Sequence, residues 1–577
     1  MRFPKLKSIS AKVQTENAFG GYRHGVRVPF GEWREMTNMS ATHYPALSVR
    51  TPRGVYATPT AARGLARYDT LLYVDGADLV VNGVHIDLSL ADDGKEKTLV
   101  RMGAYVIVLP DKRYVNLADL SDYGAIEAHV TASEVEIAPC RADGTYYDRV
   151  VVSPAEPAIP AKGESLAWLD TSRAPHALLE YSAILSGFVE LEKTYLRVCA
   201  TNIGSPFSAG DGVRFSGISE DADGYYTLVL CERDALVVAA PPMAATTLST
   251  LTLSREMPEM DFVTEAGNRL WGCRYGVAKN GEVVNEIYAS ALGDFRNWHV
   301  FDGLASDAYV CGVGSDGAFT GAATYLGTPV FFKERFLHRV LGSYPATYGV
   351  ASTPIQGVKK GSEKSIALLG DALLYHGDAG VYLYDGSLPR LVSDALGTRR
   401  FECAAAGTLG EKYYVSMRDS ADGAWNMFVY DASRDLWHRE DDTKATCFCE
   451  VRGELYFIDG AGRIMTVGGS GTPETGNVPF LLESGVIGLD DPARRYLSRI
   501  HVRMALGACS RVTISAQYDS TGEFYELFST RSRTFRGYTA ILRPRRADHL
   551  RLRIEGEGDV KIFAMTLFEE GGNAFDA

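Results

Sequence analysis

An all-β fold is what this sequence predicts, and three observations predict it. Short runs rich in Val, Tyr, Leu and Phe recur between Gly and Asp turns. Apolar residues at helical spacing are hard to find over any long window. A loose phrase also repeats, in which a Gly precedes an apolar strand, an Asp-Gly or similar turn follows, and a second strand carries aromatics. Examples are "YDTLLYVDGADLVVNG", "MGAYVIVLPDKRYVNL", "LGDALLYHGDAGVYLYDG" and "RGELYFIDGAGRIMTVGG". About seven such units occur, and from about residue 316 onward their spacing settles near the ~40–50 residues of propeller blades. A unit of this kind is a sheet that gains a core only by packing on its neighbours. The prediction is therefore a β-propeller of about seven blades, with the first blades in residues 55–125 and the remaining ones in 257–468.

Residues 126–256 break the repeat. A Pro-rich stretch, "VVSPAEPAIPAKGES", precedes four or five short strands with turns at Gly210-Asp211-Gly212 and Asp223-Gly224. This segment reads as an inserted small β-barrel-like domain. After the Gly/Ser/Thr/Pro-rich linker at 469–490, residues 491–577 alternate apolar and polar residues cleanly. Ile500, Val502 and Met504 fall on one face, as do Leu550, Leu552 and Ile554. A C-terminal β-sandwich with one covered face follows. Residues 1–54 have Gly, Pro and aromatics without periodicity, so they read as an extended N-terminal arm ordered only by lying along another surface.

Composition narrows the class. The longest apolar run, "LVVAAPPMAA", is cut by Pro241-Pro242 and falls short of the ~18 residues of a membrane span, so no span is expected. "MRFPKLKSISAK" is basic but lacks the apolar core of a secretory signal. Nine scattered cysteines do not make a disulfide framework, and free thiols in a reducing cytoplasm are expected. The net charge of −13 is uneven: residues 1–54 hold nine Lys/Arg against three Asp/Glu, and residues 494–553 hold thirteen against four. The centre is strongly acidic. Basic ends could meet nucleic acid, but alternating Arg on strands, as in Leu550-Arg551-Leu552-Arg553-Ile554, reads as a solvated or protomer-facing sheet surface.

No catalytic or metal motif survives its context, so no catalytic residue, cofactor or metal is assigned and the chain is expected not to be an enzyme. Gly312-Val313-Gly314-Ser315-Asp316-Gly317 is formally a dinucleotide fingerprint, yet strand rather than helix follows it. Gly357 to Ser365 lacks the Gly directly before Lys-Ser that a P-loop needs. Ser219 to Gly224 spaces carboxylates like a calcium loop, but Leu230 stands where a bidentate Glu is required. Cys447-Phe448-Cys449 has no second ligand pair nearby. Trp33, Trp271, Trp298, Trp425 and Trp437 read as core packing between sheets rather than as a sugar-stacking platform.

One block stands apart. Asn38 to Gly54, "NMSATHYPALSVRTPRG", preceded by "FGGYRHGVRVPFGEWREM", resembles the opening of structural proteins from tailed-phage virions. Arg543-Pro544-Arg545-Arg546-Ala547-Asp548-His549, leading to Arg553 through Asp559, resembles the C-terminal sandwich of the same group. The resemblance implies a tail hub, nozzle or head-tail neck component, assembled in the host cytoplasm and located in the virion. It implies copies of itself in a ring around a DNA exit channel, with connector or portal proteins on one side and tail proteins on the other, and DNA passing nearby. The contacts are expected at Tyr22, Arg23, Arg27, Trp33, Tyr44, Pro45, Arg50 and Arg53 of the arm, and at Arg543, Arg545 and Arg546. The alternative is a glycan-binding or glycan-cleaving propeller with a carbohydrate-binding sandwich, which calls for a pocket of convergent carboxylates and exposed Trp. A cytoplasmic scaffold with a peptide-binding propeller is a third reading.

Overall fold

The computed structural model describes residues 11–161, 163–219, 222–277, 281–474, 476–489, 495–531, 536–541 and 547–571. These are strands joined by turns, with three short 3-10 turns and no α-helix among the described residues. The fold is all-β and β-propeller-like, built from small blade-like sheets and one closed barrel. Two compact units divide it: one holds the described residues up to Lys97, Phe331–Leu337 and the chain from Thr353 on, and the other holds Thr98–Val330 and His338–Ser352.

The first unit contains a two-sheet sandwich made from both ends of the sequence. One sheet runs Met39–Ser40, Leu47–Val49, Val560–Gly571, Arg495–Leu506, Arg536–Ile541, with Ala11–Glu16 also paired to Val560–Gly571. The other runs Trp33–Thr37, Pro479–Ser484, Leu550–Glu557, Arg511–Tyr518, Tyr525–Thr530. Ile500, Val502 and Met504 of the first sheet share a core with Val512, Ile514, Leu552 and Ile554 of the second. The period of two along each strand puts these residues on the covered face. The arm, read from sequence as extended and without a sheet of its own, supplies four strands, and Met36, Met39 and Leu47 join that core. The stretch read as linker holds Phe480 and Leu482, both buried in it. Both differences have one cause: these strands are short, and each set depends on a partner hundreds of residues away, Val560–Gly571 for Leu47–Val49 and Trp33–Thr37 for Pro479–Ser484, so nothing local announces them.

Four blades belong to this unit. Three are the sheets over Ala62–Asp87, Ala367–Leu391 and Phe401–Arg439. In the fourth, Ala445–Val451, Glu454–Asp459 and Ile464–Thr466 are extended by Gly54–Ala57, which comes directly after the arm. Early and late sequence therefore meet in a single sheet, and Ala62, Leu65 and Leu71 pack on Val451, Ile458 and Ile464 of it. The arm runs across the Phe401–Arg439 blade, where Tyr22 N–H donates to the Trp437 carbonyl. The approach explains the Gly20-Gly21 pair, since a Cβ on Gly21 would lie 1.9 Å from the Trp437 oxygen.

The second unit holds blades over Thr98–Ala125 and Phe262–Gly312, and a further sheet, Phe319–Tyr325, Thr328–Lys333, Phe336–Leu341 and Gly349–Pro354, has residues in both units. A closed six-stranded barrel lies between the first two in sequence: Ala128–Cys140, Tyr195–Cys199, Ala235–Ala239, Gly224–Glu232, Gly212–Ser216 and Thr246–Arg255. Val135, Ile137, Val198, Phe215, Leu228 and Leu253 fill it. A separate sheet, Arg149–Ser153, Leu166–Asp170, Ala177–Ser182 and Gly187–Glu190, interrupts the barrel, and its first two strands are parallel. The Pro-rich stretch is the crossover between them, because parallel neighbours cannot be joined by a tight turn. No helix among the described residues is long and apolar enough to cross a membrane.

Candidate functional site

A cleft of about 930 Å³ opens in the second unit where the barrel meets the Phe262–Gly312 blade. Strand register builds one wall. Arg214 lies between Tyr225 on one neighbouring strand and Ser254 on the other, so the three side chains share a face. Glu256, two residues after Ser254, follows the same side. On the blade, Arg274 is paired in register with Glu286, and Tyr288 follows Glu286 by two.

Hydrogen bonds fix these groups. Tyr225 Oη donates to Glu256 at 3.0 Å, and Ser254 Oγ donates to its other oxygen at 2.8 Å. Burial works against the Glu256 charge, but the Ser254 and Tyr225 hydroxyls and the nearby Arg214 hold its carboxyl below the usual range. Burial and the Glu256 charge push the Tyr225 phenol up to about 12. His299 stacks on Tyr225 with ring centroids 4.0 Å apart, and burial pulls its imidazole down to about 4, so it is neutral at pH 7. Tyr288 Oη donates to Glu286 at 2.6 Å. Arg274 pairs with Asp261 at 2.7 Å, and Lys112 binds both the Glu127 carboxylate and the Met257 carbonyl. Beneath the cleft, buried Arg255 pairs with Asp211, and Asn297 Oδ1 accepts from Gly212 N–H at 3.0 Å, which ties the His299 segment to the barrel.

Glu127, Glu256, Glu259 and Glu286 thus converge on one cleft with Arg214, Arg274, two tyrosines and a neutral histidine. Planar carboxylates and guanidinium groups of this kind grip vicinal hydroxyls in pairs. Glycosidic bond cleavage needs two carboxyl groups at a defined spacing, one ionised and one bearing a proton, and Glu256 is the ionised member available here. Sequence reading missed this site because its members come from separate strands and a loop. The acidic cluster Glu256, Glu259, Asp261 around Met257-Pro258 is the one local trace of it.

The residues expected at an interface scatter. Tyr22, Trp33 and Arg53 are buried, and the Arg50 side chain is 8% exposed. Tyr22 and Trp33 pack in the chain's own core, while Arg50 and Arg53 pair with Asp441. These four side chains are taken up inside the fold of a single chain. Arg23 pairs with Glu32, and Arg27, Tyr44 and Pro45 lie on the surface. Arg543, Arg545 and Arg546 lie outside the described residues.

The other motifs resolve as turns. Gly312 ends the strand Tyr309–Gly312, and the next element is the strand Phe319–Tyr325. Asp223 accepts the backbone N–H groups of Gly217 and Ile218, while Glu220 and Asp221 lie outside the described residues. Burial pushes the Cys447 and Cys449 thiols up, the latter to about 12. Among the described residues no group of three or more His, Cys, Asp or Glu is placed to hold a metal ion. Trp33, Trp271, Trp298 and Trp437 are buried.

No family model and no curated protein matches the chain. Similar solved structures include an exo-β-1,3-galactanase from Phanerochaete chrysosporium, 9% identical over 53% of this chain and 94% of that one, with a TM-score of 0.21. BamB from Moraxella catarrhalis is 11% identical over 75% of this chain and 97% of that one, with a TM-score of 0.26. A mutant Trypanosoma rangeli sialidase is 8% identical over 89% of this chain and 95% of that one, with a TM-score of 0.20. The expectation of a non-enzymatic chain is not carried forward; enzymes by name, a galactanase and a sialidase, are among the similar solved structures.

Proposed function

We propose that this is a glycan-active propeller protein, binding or cleaving a saccharide in the cleft of the second unit. One observation carries the reading: four glutamates converge on a preformed cleft, and one of them, Glu256, is held ionised by Tyr225 and Ser254. The exposed tryptophans this reading anticipated do not line the cleft: Trp298 there is buried, and Tyr225 stacks on His299 with Arg214 over its ring. The test is a broad glycan array followed by calorimetry and a reducing-end assay. Wild-type protein should bind a defined saccharide, and Glu256→Gln should weaken binding or stop turnover at least tenfold. No binding across the array, or full binding by Glu256→Gln, overturns it.

A second reading, a structural component of a tailed-phage virion, is favoured by a different observation. Residues of the two phrases that carry that resemblance share one module, since Met39 and Leu47 pack in the same core as Ile554 in the composite sandwich. The two readings are compatible, because a virion protein can display a saccharide cleft. Electron microscopy of purified protein at rising concentration should show closed rings, and a persistent monomer that joins no connector or tail protein overturns this reading.

A further inference from the structure

The saccharide cleft does not end at its own wall. A second hollow of about 370 Å³ adjoins it, and Phe301 and Val310 line both. Four large apolar side chains stand open around this hollow: Phe301 is 55% exposed, Leu304 60%, Tyr344 44% and Val310 44%. Exposed aromatic faces clustered beside a polar cleft mark a binding surface.

The segment carrying them is held in place. Buried Arg269 gives its guanidinium donors to the carbonyls of Ser290, Ala305 and Asp307. The Asp307 carboxylate accepts the Leu304 N–H at 2.9 Å, and Thr227 Oγ1 donates to Asp302 at 3.1 Å. Across the hollow, Thr347 Oγ1 binds the Tyr344 carbonyl at 2.9 Å and closes the turn that presents the Tyr344 ring. A buried arginine spent on loop carbonyls fixes the ridge in its exposed position before any ligand arrives, which lowers the ordering cost of binding.

We propose that this hollow is a second saccharide subsite, so that the ligand is an oligosaccharide crossing Phe301 and stacking a sugar ring on the Phe301 and Tyr344 side. The inference rests on the glycan reading of the adjoining cleft. The occupant is the continuation of the chain bound there, because the two spaces share a wall and the apolar ring faces suit the C–H face of a pyranose, while the carboxylates of the cleft suit its hydroxyls.

The experiment uses the full chain and an array printed as size series from one to six sugar units, followed by titration of the best series. Affinity should rise with length up to the point where the chain spans both spaces. Leu304→Ala and Tyr344→Ala, at exposed positions that line the hollow and not the cleft, should lower affinity for the longer members about tenfold and leave the shortest binding member unchanged. Glu256→Gln should lower affinity at every length. If length has no effect, or if Leu304→Ala and Tyr344→Ala act equally on all lengths or on none, the second subsite is wrong while the cleft reading stands. If wild-type protein binds no saccharide, both fall together, and capture of an apolar peptide by the Phe301 ridge with no saccharide binding would do the same.

Discussion

Arg53 donates to the carboxylate of Glu440 at 2.7 Å, and both side chains are almost completely enclosed, at 4% and 6% exposure. Its other nitrogen reaches Asp441 at 2.8 Å, and the guanidinium lies over the Phe457 ring. The residue before the blade-completing strand Gly54–Ala57 is thereby locked to the neighbouring blade.

Arg53→Ala should cost about 3–5 kcal/mol, because Glu440 would remain buried without its cation and Asp441 would keep only Arg50. Arg53→Lys should recover part of the loss, since one ammonium cannot serve both acids with a fork's geometry. Denaturant unfolding followed by tryptophan fluorescence checks both. An alanine variant within 1 kcal/mol of wild type would show the pairing to be dispensable.

Deleting residues 1–40 should not leave a sound fold. It removes the strands Ala11–Glu16, Trp33–Thr37 and Met39–Ser40, together with the buried rings of Phe19, Tyr22 and Trp33. Trp33→Ala alone should cost ~3–5 kcal/mol as a large core truncation. Soluble yield and near-UV circular dichroism of the deletion are the readouts, and a soluble protein with a wild-type spectrum would contradict the prediction.

Stability should fall as the pH drops from about 6.5 toward 4. Burial holds His376 at about 3, with Lys359 adding to the effect, and holds His438 and His299 at about 4. Groups whose folded value lies below the unfolded 6.5 take up protons on unfolding, so their contribution is complete above 6.5 and lost below it. Asp441, held low by Arg53 and Arg50 against its burial, adds loss at still lower pH. Melting temperature should decline between pH 7.5 and pH 5, and His438→Asn should flatten the decline. A flat profile in wild type would refute the assignment.

Limited proteolysis should cut first in the Pro-rich crossover around 153–163, which joins Arg149–Ser153 to Leu166–Asp170 over the surface. The products should stay associated on size exclusion, because both flanking strands belong to one sheet. Cleavage within Pro479–Ser484 should be slow, since that strand sits between Trp33–Thr37 and Leu550–Glu557. Early cutting there would place it at an exposed edge instead.

What could be read from the sequence was what repeats locally. The blade hairpins, the barrel region and the alternation Ile500, Val502, Met504 each carry a period of two between turn residues, and the structure uses them so. What could not be read depends on distant partners. Trp33–Thr37 is a strand only because Pro479–Ser484 lies beside it, and neither segment alternates for long enough to announce itself. The cleft was hidden for the same reason: Arg214, Tyr225, Ser254 and Glu256 are brought together by barrel register, which no linear pattern states. The close approach of Gly21 to Trp437 and the pairing of Arg53 with Glu440 likewise exist only in the folded chain.

The composite sandwich has a consequence for biosynthesis. Translation at ~5–20 residues per second places tens of seconds between the emergence of Trp33–Thr37 and that of Pro479–Ser484. Throughout that interval the early strands expose unpaired edges and buried-type rings such as Tyr22 and Trp33. Completion of this module is therefore a late event, and a chain stalled or cut short before Pro479 carries an adhesive N-terminal segment that marks it for chaperone capture or degradation.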